Sequence, residues 1–406
     1  MKIVLAHNHF SVLGGAEVFY HEVGRVLEEN GHEVAYFSVS EPGLDTEWSP
    51  YFPPATDYKN GSVISKLTGF SSLIYSTDAK KSFAKLLDDF QPDLVHVFAI
   101  YVGLTPSILD AAKNKHVPVV MSCNDYKHIC PNYKLFRNGK ICQDCKGGKF
   151  YKALTNKCCH KSMSYSFASS LEAYSHDILN IYKKNVSLFL FASEFMAEKT
   201  EEFWGADKFK WGILRNPFNT ENHVIQGNTE DYFLYFGRLI DEKGVDILLK
   251  AAKLVPEIPI KIIGEGPGEK MLRAFAKEND LDNVEFLGPK WGVELNTILR
   301  NARSVVVPSL WHENFPYVIL QAFAAGKTVI GTNRGGIPEM LHSEKFGWLY
   351  DAENPDQLAK VMLNISNLPT EEIIASGLAA QQFVTDNFND ETFYNSLINN
   401  YGKILG

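Results

Sequence analysis

The sequence predicts an α/β protein in two halves, each built on a parallel sheet, and three observations predict it. The chain has 406 residues, more than one ordinary core accommodates. Short runs rich in β-branched and aromatic residues alternate with segments of helical period, the pattern of parallel sheets with crossover helices. Near the middle, the polar, turn-rich stretch LRNPFNTENHVIQGNTED has no period at all. The boundary belongs there, giving a first domain over residues 1–221 and a second over residues 222–389.

The elements follow in order. KIVLA reads as the first strand; with four apolar residues after Lys2, MKIVLAHNHF is too short an apolar run for a signal peptide. AEVFYHEVGRVLEENG reads as an amphipathic helix closed by Gly31. EVAYFSV, DLVHVF, VPVVMS and SLFLFAS supply the other strands of the first half. An insertion from Asp125 to about Tyr165, rich in Gly, Lys, Cys and aromatic residues, breaks the pattern without a period of its own. Loops of that length are usually functional or mobile. In the second half YFLYFG, IPIKIIG, VEFLG, SVVVPS and KTVIGT are strands with helices between them. The closing DETFYNSLINNYGKIL is a helix with its own apolar stripe, able to dock on either half.

Composition bounds the class. At 45% hydrophobic and 22% charged residues this is a globular chain, and no apolar run approaches the roughly 20 residues that span a bilayer. A cytoplasmic enzyme is the expectation. The net charge of −8 hides an asymmetry: Lys113 to Lys161 holds eleven Lys or Arg against Asp125 and Asp144, about +9, which leaves about −17 elsewhere. A basic patch on an acidic protein suits an anionic partner, either a phosphate-bearing substrate or the inner face of an anionic membrane touched peripherally. A solvated, Lys-rich loop is the competing reading. All six cysteines fall in this region, so a scattered disulfide framework is disfavoured. Cys142 and Cys145 form a C-x-x-C pair, followed by Cys158, Cys159 and His160, a spacing that permits a tetrahedral zinc site. The second pair lacks its two-residue gap, and thiols without metal are the preferred reading.

Three glycine-containing turns follow strands, where ligands collect in open α/β sheets. In HFSVLGGAE, Gly14 and Gly15 precede a helix and would let a phosphate approach backbone N–H groups; a plain tight turn is the alternative. There is no G-x-G-x-x-G, hence no dinucleotide fingerprint. In YFGRLIDEKGVDILLKA, Arg238 and Lys243 flank a strand end, an arrangement suited to a diphosphate. The bland reading pairs them with Asp241 and Glu242. In IIGEGPGEK, Gly264 and Gly266 form a close-approach turn over which a nucleotide would lie, and Lys290 in LGPKWGVEL stands where a base ring would fit. In PSLWHENFPYVILQAFAAGKTVIGT, Glu313 stands alone before a helix opened by Pro316, taken as its first residue. An acid beside a helix N-terminus suits a sugar joined to a phosphate. Gln321 further along either bonds a ribose hydroxyl or faces solvent.

GRLIDEKG, GEGP, PSLWHENFPYVILQAFAAGKTVIGTNRGGIPE and the early GGAE, in this order and spacing, resemble glycosyltransferase family 4. DLVHV and FASEFM extend the likeness more loosely through the first half. The resemblance implies a GT-B fold, two Rossmann-like domains facing across a cleft, with the final helix, about residues 390–406, returning to the first domain. It implies a retaining transfer from a nucleotide-diphosphate sugar, UDP-sugar favoured, to a saccharide or lipid-linked acceptor in cell-surface polysaccharide or glycolipid synthesis. No metal or other cofactor is required, and no nucleic-acid partner is expected.

Residue by residue, the resemblance places Arg238 and Lys243 on the diphosphate and Glu313 on the sugar hydroxyls, with Asn314 and Phe315 beside it. Gly15 would approach the phosphate from the first domain. Asn124, Asp125 and His96 are the acceptor-side candidates. Two positions depart from the family pattern: Gln321 stands where a second acid is usual, and Asn124 where a histidine is usual. An amide still bonds hydroxyls. Two alternatives remain at this stage, a nucleotide-sugar epimerase of the same fold and a nucleotide-sugar binder with impaired catalysis.

Overall fold

The ten apolar runs all become strands, and parallel pairing follows from their content. In chain order the first half supplies β1 (Lys2–Ala6), β2 (Glu33–Phe37), β3 (Leu94–Val97), β4 (Val119–Cys123), a small antiparallel hairpin of β5 (Phe136–Arg137) and β6 (Lys140–Ile141), then β7 (Leu188–Phe191) and β8 (Trp211–Ile213). The second half supplies β9 (Phe233–Phe236), β10 (Ile260–Ile263), β11 (Val284–Gly288), β12 (Ser304–Val307), β13 (Thr328–Thr332) and β14 (Gly347–Tyr350). The structure is a computed structural model and describes residues 1–55, 72, 74–218, 229–341 and 345–406. The expected boundary at 221/222 lies outside the described residues. Contacts group residues 1–134, 143–216 and 393–406 into one unit and residues 135–142 and 217–392 into another.

In the first unit the strand order is β2-β1-β3-β4-β7-β8, every pair parallel. In the second it is β11-β10-β9-β12-β13-β14, again parallel throughout. Strands β3, β4, β7, β9, β12 and β13 are buried at every residue. That is why they read as unbroken apolar runs rather than as alternation. The chain reverses its direction of travel between β1 and β3 in one sheet and between β9 and β12 in the other. Such switch points open a crevice beyond the strand ends.

Helices cover both sheets. The first unit holds α1 (Gly15–Glu29), α2 (Thr77–Phe90), α3 (Ser107–Asn114), α4 (Tyr151–Thr155), α5 (Met163–Ile178), α6 (Ile181–Asn185) and α7 (Glu194–Trp204). The second holds α8 (Val245–Ala252), α9 (Glu269–Glu278), α10 (Gly292–Asn301), α11 (Tyr317–Ala324), α12 (Ile337–Met340), α13 (Pro355–Ser366) and α14 (Thr370–Asn387). In α1, Phe19, Tyr20, Val23, Val26 and Leu27 are buried at helical spacing. The helix ends at Asn30 and Gly31, whose φ of +78° needs no Cβ.

The last helix, α15 (Asp390–Leu405), carries Phe393, Leu397 and Tyr401 on one stripe. They are buried with Ile3, Leu5 and Phe19 in the core of the first unit. Each such burial is worth roughly 1.5–3 kcal/mol, so the stripe fixes where this helix lies.

The insertion differs from its reading as an aperiodic loop of the first domain. It contains the β5–β6 hairpin, α4 and the start of α5. Residues 135–142 group with the second unit, because Phe136 is buried there among Phe233, Leu248 and Ile260, with Ile141 packed against the same cluster. A pair of two-residue strands is too short to leave a periodic trace in sequence.

Candidate functional site

The best-defined polar cluster lies at the switch point of the second sheet, beyond β9 and β12. After β9 the chain turns at Gly237, and the Tyr235 hydroxyl donates to the Arg238 carbonyl at 2.8 Å, holding the turn. The Arg238 guanidinium is exposed, with no side-chain partner among the described residues. One helical turn, Asp241–Lys243, then ends at Gly244 with φ +66°. A Cβ there would stand 2.0 Å from the Pro308 carbonyl oxygen, so only glycine lets this turn press against the end of β12. The Leu310 amide donates to the Glu242 carbonyl at 2.9 Å and seals the contact.

That close approach brings Lys243 to Glu313. Lys243 Nζ donates to Glu313 Oε1 at 2.5 Å and stands 5.6 Å from the centroid of the Trp311 ring. Ser309 Oγ donates to the same carboxylate oxygen at 2.7 Å. Glu313 is 5% exposed. Burial pushes its carboxyl upward, but the Lys243 charge and hydrogen bond, with the Ser309 hydroxyl, hold it below the usual carboxylate range. At neutral pH it is therefore an anion that accepts hydrogen bonds and carries no proton to donate. The lone acid of PSLWHEN has its cationic partner seventy residues upstream.

The backbone of Glu313 is fixed from the other side. Its carbonyl accepts from the Gly336 amide at 2.7 Å. Gly335 has φ +59°, and a Cβ on it would lie 2.2 Å from that same carbonyl oxygen. The glycine pair of TNRGGIPE thus seats the acid. Ser309, Trp311 and Gly335 are the residues the sequence reading left without a role; the Gly335–Gly336 pair was the one available signal.

Asn314 and Phe315 continue the loop, Phe315 buried with its ring 5.6 Å from that of Phe388. Pro316 is the N-cap of α11, in extended conformation with φ −72° and ψ 117°, and the helix starts at Tyr317. It was expected as the first helical residue. Its ring fixes φ but leaves ψ open, and here ψ is extended. Gln321 lies half-buried on the second turn of that helix.

The remaining donor candidates are nearby in the fold but differ in what holds them. Gly264 and Gly266 have φ +143° and +156°, and Cβ atoms on them would come to 1.8 Å and 2.5 Å from the carbonyl oxygens of Gly237 and Leu239. Their first requirement is the meeting of two turns beyond β9 and β10. Lys290 pairs with Glu294 one turn on in α10.

In the first unit, Gly15 begins α1 with open space where a Cβ would stand. Beside it His7 Nε2 lies 3.8 Å from Glu17 Oε1, both residues buried. Asn124 and Asp125 follow β4. Asp125 accepts from the Lys127 amide at 2.8 Å and the Tyr101 hydroxyl at 3.1 Å. Burial outweighs those bonds and the Lys127 charge, and its carboxyl is pushed up. His96 is elsewhere: wholly buried in β3, with Nδ1 2.8 Å from the Tyr401 hydroxyl and Nε2 2.8 Å from Ser122 Oγ. The structure gives it core partners on both nitrogens and no path to solvent. Cys145 and Cys158 pack around Phe150 and Ala153. Among the described residues no cysteine is in a disulfide, no three His, Cys, Asp or Glu side chains converge to hold a metal ion, and no helix is long and apolar enough to cross a membrane.

Comparison with known proteins bears on both units. The model of Glycosyltransferase Family 4 matches residues 13–222, and that of Glycosyl transferases group 1 matches residues 219–375. A 42.6 kDa protein of the cps region of Klebsiella pneumoniae is 29% identical over 359 residues, 84% of this chain and 87% of that protein. The amylovoran biosynthesis glycosyltransferase AmsK of Erwinia amylovora is 28% identical over 174 residues, 40% of this chain and 42% of its own length. Among solved structures, Anabaena HepE in complex with UDP covers 100% of both chains with a TM-score of 0.65 at 16% identity. A likeness at that identity carries the fold, the two Rossmann-like domains of GT-B glycosyltransferases.

Proposed function

The chain belongs to glycosyltransferase family 4, and from that premise we propose that it moves a sugar from a UDP-sugar to a saccharide or lipid-linked acceptor, keeping the anomeric configuration. The observation that carries this reading is the Lys243–Glu313 pair at the switch point of the second sheet. Lys243 and the exposed Arg238 supply the positive charge a diphosphate needs. Glu313, an anchored anion with one oxygen still able to accept, suits the neutral hydroxyls of a sugar.

The chemistry follows from those roles. As the anomeric carbon becomes oxocarbenium-like, charge builds on the departing phosphate, and Arg238 and Lys243 stabilise it there. Glu313 is held by Lys243 and Ser309 through one oxygen, which suits an orienting group better than a nucleophile. The leaving phosphate then takes the acceptor proton on the same face, a route that needs no second carboxylate. Gln321 replaces an acid with an amide, which can still bond a ribose hydroxyl. Gly15, with open space over its Cα, suits a close phosphate, and Asn124 and Asp125 are the acceptor-side groups.

HepE binds UDP in its solved complex, and AmsK serves amylovoran biosynthesis. Both support a UDP-sugar donor and a place in surface polysaccharide synthesis for this chain. The six thiols suit a reducing compartment, hence a cytoplasmic site of action. The test is a panel of nucleotide sugars read by thermal shift and by release of nucleoside diphosphate. A UDP-sugar that raises the melting temperature and is slowly hydrolysed supports the transferase; one that binds and is never cleaved makes the chain a binder.

A further inference from the structure

Helix α5 is built inside out. Its buried face is Ser166, Ser170 and His176. Ser166 Oγ accepts from the Cys159 amide at 3.0 Å, and Ser170 Oγ donates to the Phe150 carbonyl at 3.0 Å, so the polar side chains fasten the helix to the cysteine-bearing loop and α4. The large apolar side chains point out instead. Met163, Phe167, Leu171 and Ile178 are 51%, 52%, 38% and 79% exposed. At 3.6 residues per turn these four positions fall on one narrow stripe. Tyr174, which falls within the same stripe, instead packs against Phe150 of the preceding loop with ring centroids 5.3 Å apart; Tyr151 on α4 is 48% exposed. None of this surface is needed to close the core of the first unit.

The charge around the stripe is mainly positive: on the same helix Glu172 pairs with Lys127 and Asp177 lies 3.9 Å from Lys183, and Asp144 accepts from Asn156. From Cys145 to Leu171 the chain carries five lysines and no Asp or Glu. Lys146 reaches Glu202 at 3.6 Å, whereas Lys149, Lys152, Lys157 and Lys161 have no carboxylate partner among the described residues. Lys157 and Lys161 sit just before α5, and Lys149 and Lys152 on and before α4, which packs against it.

We propose that this face, the outward stripe of α5 with the lysines of residues 149–161, docks on an anionic lipid bilayer. An exposed apolar stripe with lysines beside it is the make-up of a helix that lies in the plane of a membrane interface. Charge decides between occupants. A second copy would bring the same unpaired lysines against themselves, and like charges facing each other oppose that contact. An anionic surface is complementary to this locally basic face even though the chain as a whole carries −8.

Vesicle co-sedimentation without any nucleotide sugar tests this separately from the donor chemistry. The wild-type chain should bind phosphatidylglycerol-containing vesicles at low salt and phosphatidylcholine vesicles at least about tenfold more weakly, with binding falling as salt rises. The variant Met163→Gln/Phe167→Gln/Ile178→Gln should lose at least about tenfold in anionic-vesicle affinity, while its hydrolysis of a UDP-sugar is unchanged. Lys149→Gln/Lys152→Gln/Lys157→Gln/Lys161→Gln should lose the preference for anionic lipid. Wild-type protein that stays in the supernatant overturns the proposal, as does a stripe variant that binds as the wild type does. Self-association in sedimentation velocity that the stripe variant abolishes, with vesicle binding intact, assigns the face to a second copy instead.

Discussion

Lys243 Nζ donates to Glu313 Oε1 across 2.5 Å, joining two residues seventy positions apart at neighbouring strand ends. The pair couples the group assigned to phosphate with the group assigned to sugar, so the two can be separated only by comparing variants.

Arg238→Ala and Lys243→Ala should each weaken UDP binding by roughly 1.5–3 kcal/mol, the worth of hydrogen bonds to charged groups. Their stabilities should differ. Arg238 is exposed, and its loss should leave the melting temperature unchanged. Lys243→Ala strands the buried Glu313 anion, so it should lower the melting temperature, and adding Glu313→Gln should recover part of the loss. Calorimetry with UDP and thermal melts of the four proteins read both effects. Wild-type affinity in both single variants would move the diphosphate site elsewhere.

Glu313→Gln should keep the fold and UDP affinity and slow transfer at least about tenfold, roughly 1.4 kcal/mol of barrier. The pH dependence has a defined sign. The carboxyl lies lower in the folded chain than when unfolded, so its stabilising contribution is present above the unfolded carboxylate range. That contribution is lost only as pH falls through the lower folded value. In wild type, turnover set by ionised Glu313 should therefore persist through the ordinary carboxylate range. An unchanged turnover number in the Gln variant would remove Glu313 from the sugar.

Two glycines give opposite expectations. Gly335→Ala must place a methyl 2.2 Å from the Glu313 carbonyl oxygen at φ +59°, so it should both destabilise the protein by more than about 1 kcal/mol and cut turnover by shifting the acid. Gly15→Ala meets nothing within 4 Å and should leave the stability within about 0.5 kcal/mol of wild type. A methyl over the start of α1 should still obstruct a phosphate there, weakening binding of the intact donor. If Gly15→Ala changes neither stability nor donor affinity, no phosphate approaches that turn.

These contrasts also show what the sequence could carry. The ten strands were legible as short apolar runs with glycine or polar residues after them, most of them buried, although β11 has no fully buried residue. The β8 and β14 strands were not: WGI is three residues long, and GWLY mixes buried and exposed positions at a sheet edge. Arg238, Lys243 and Glu313 were each legible as charged residues after strands. Their pairing was not, because it depends on Gly244 pressing one loop on another, a tertiary contact with no local trace. The hairpin at 135–142 failed for the same reason: Phe136 finds its core in a part of the chain that begins some eighty residues later.

His96 makes the sharpest distinction between a core role and a chemical one. Both its ring nitrogens are used inside the fold, by Tyr401 and Ser122, and burial pushes its pKa down to about 3. Tyr401→Phe should therefore cost about 1–3 kcal/mol, the penalty of a buried ring nitrogen left without its partner, with transfer rates unchanged. The pH dependence of stability follows from the same burial. Below its ordinary value near 6.5 the unfolded chain takes up a proton that the folded chain refuses until about pH 3. Stability should fall as pH drops through that window. His96→Gln removes the titrating group and should flatten this part of the curve, measured as melting temperature against pH. If instead the slope is unchanged while His96→Gln abolishes transfer at full stability, His96 reaches the acceptor after all and the core assignment is overturned.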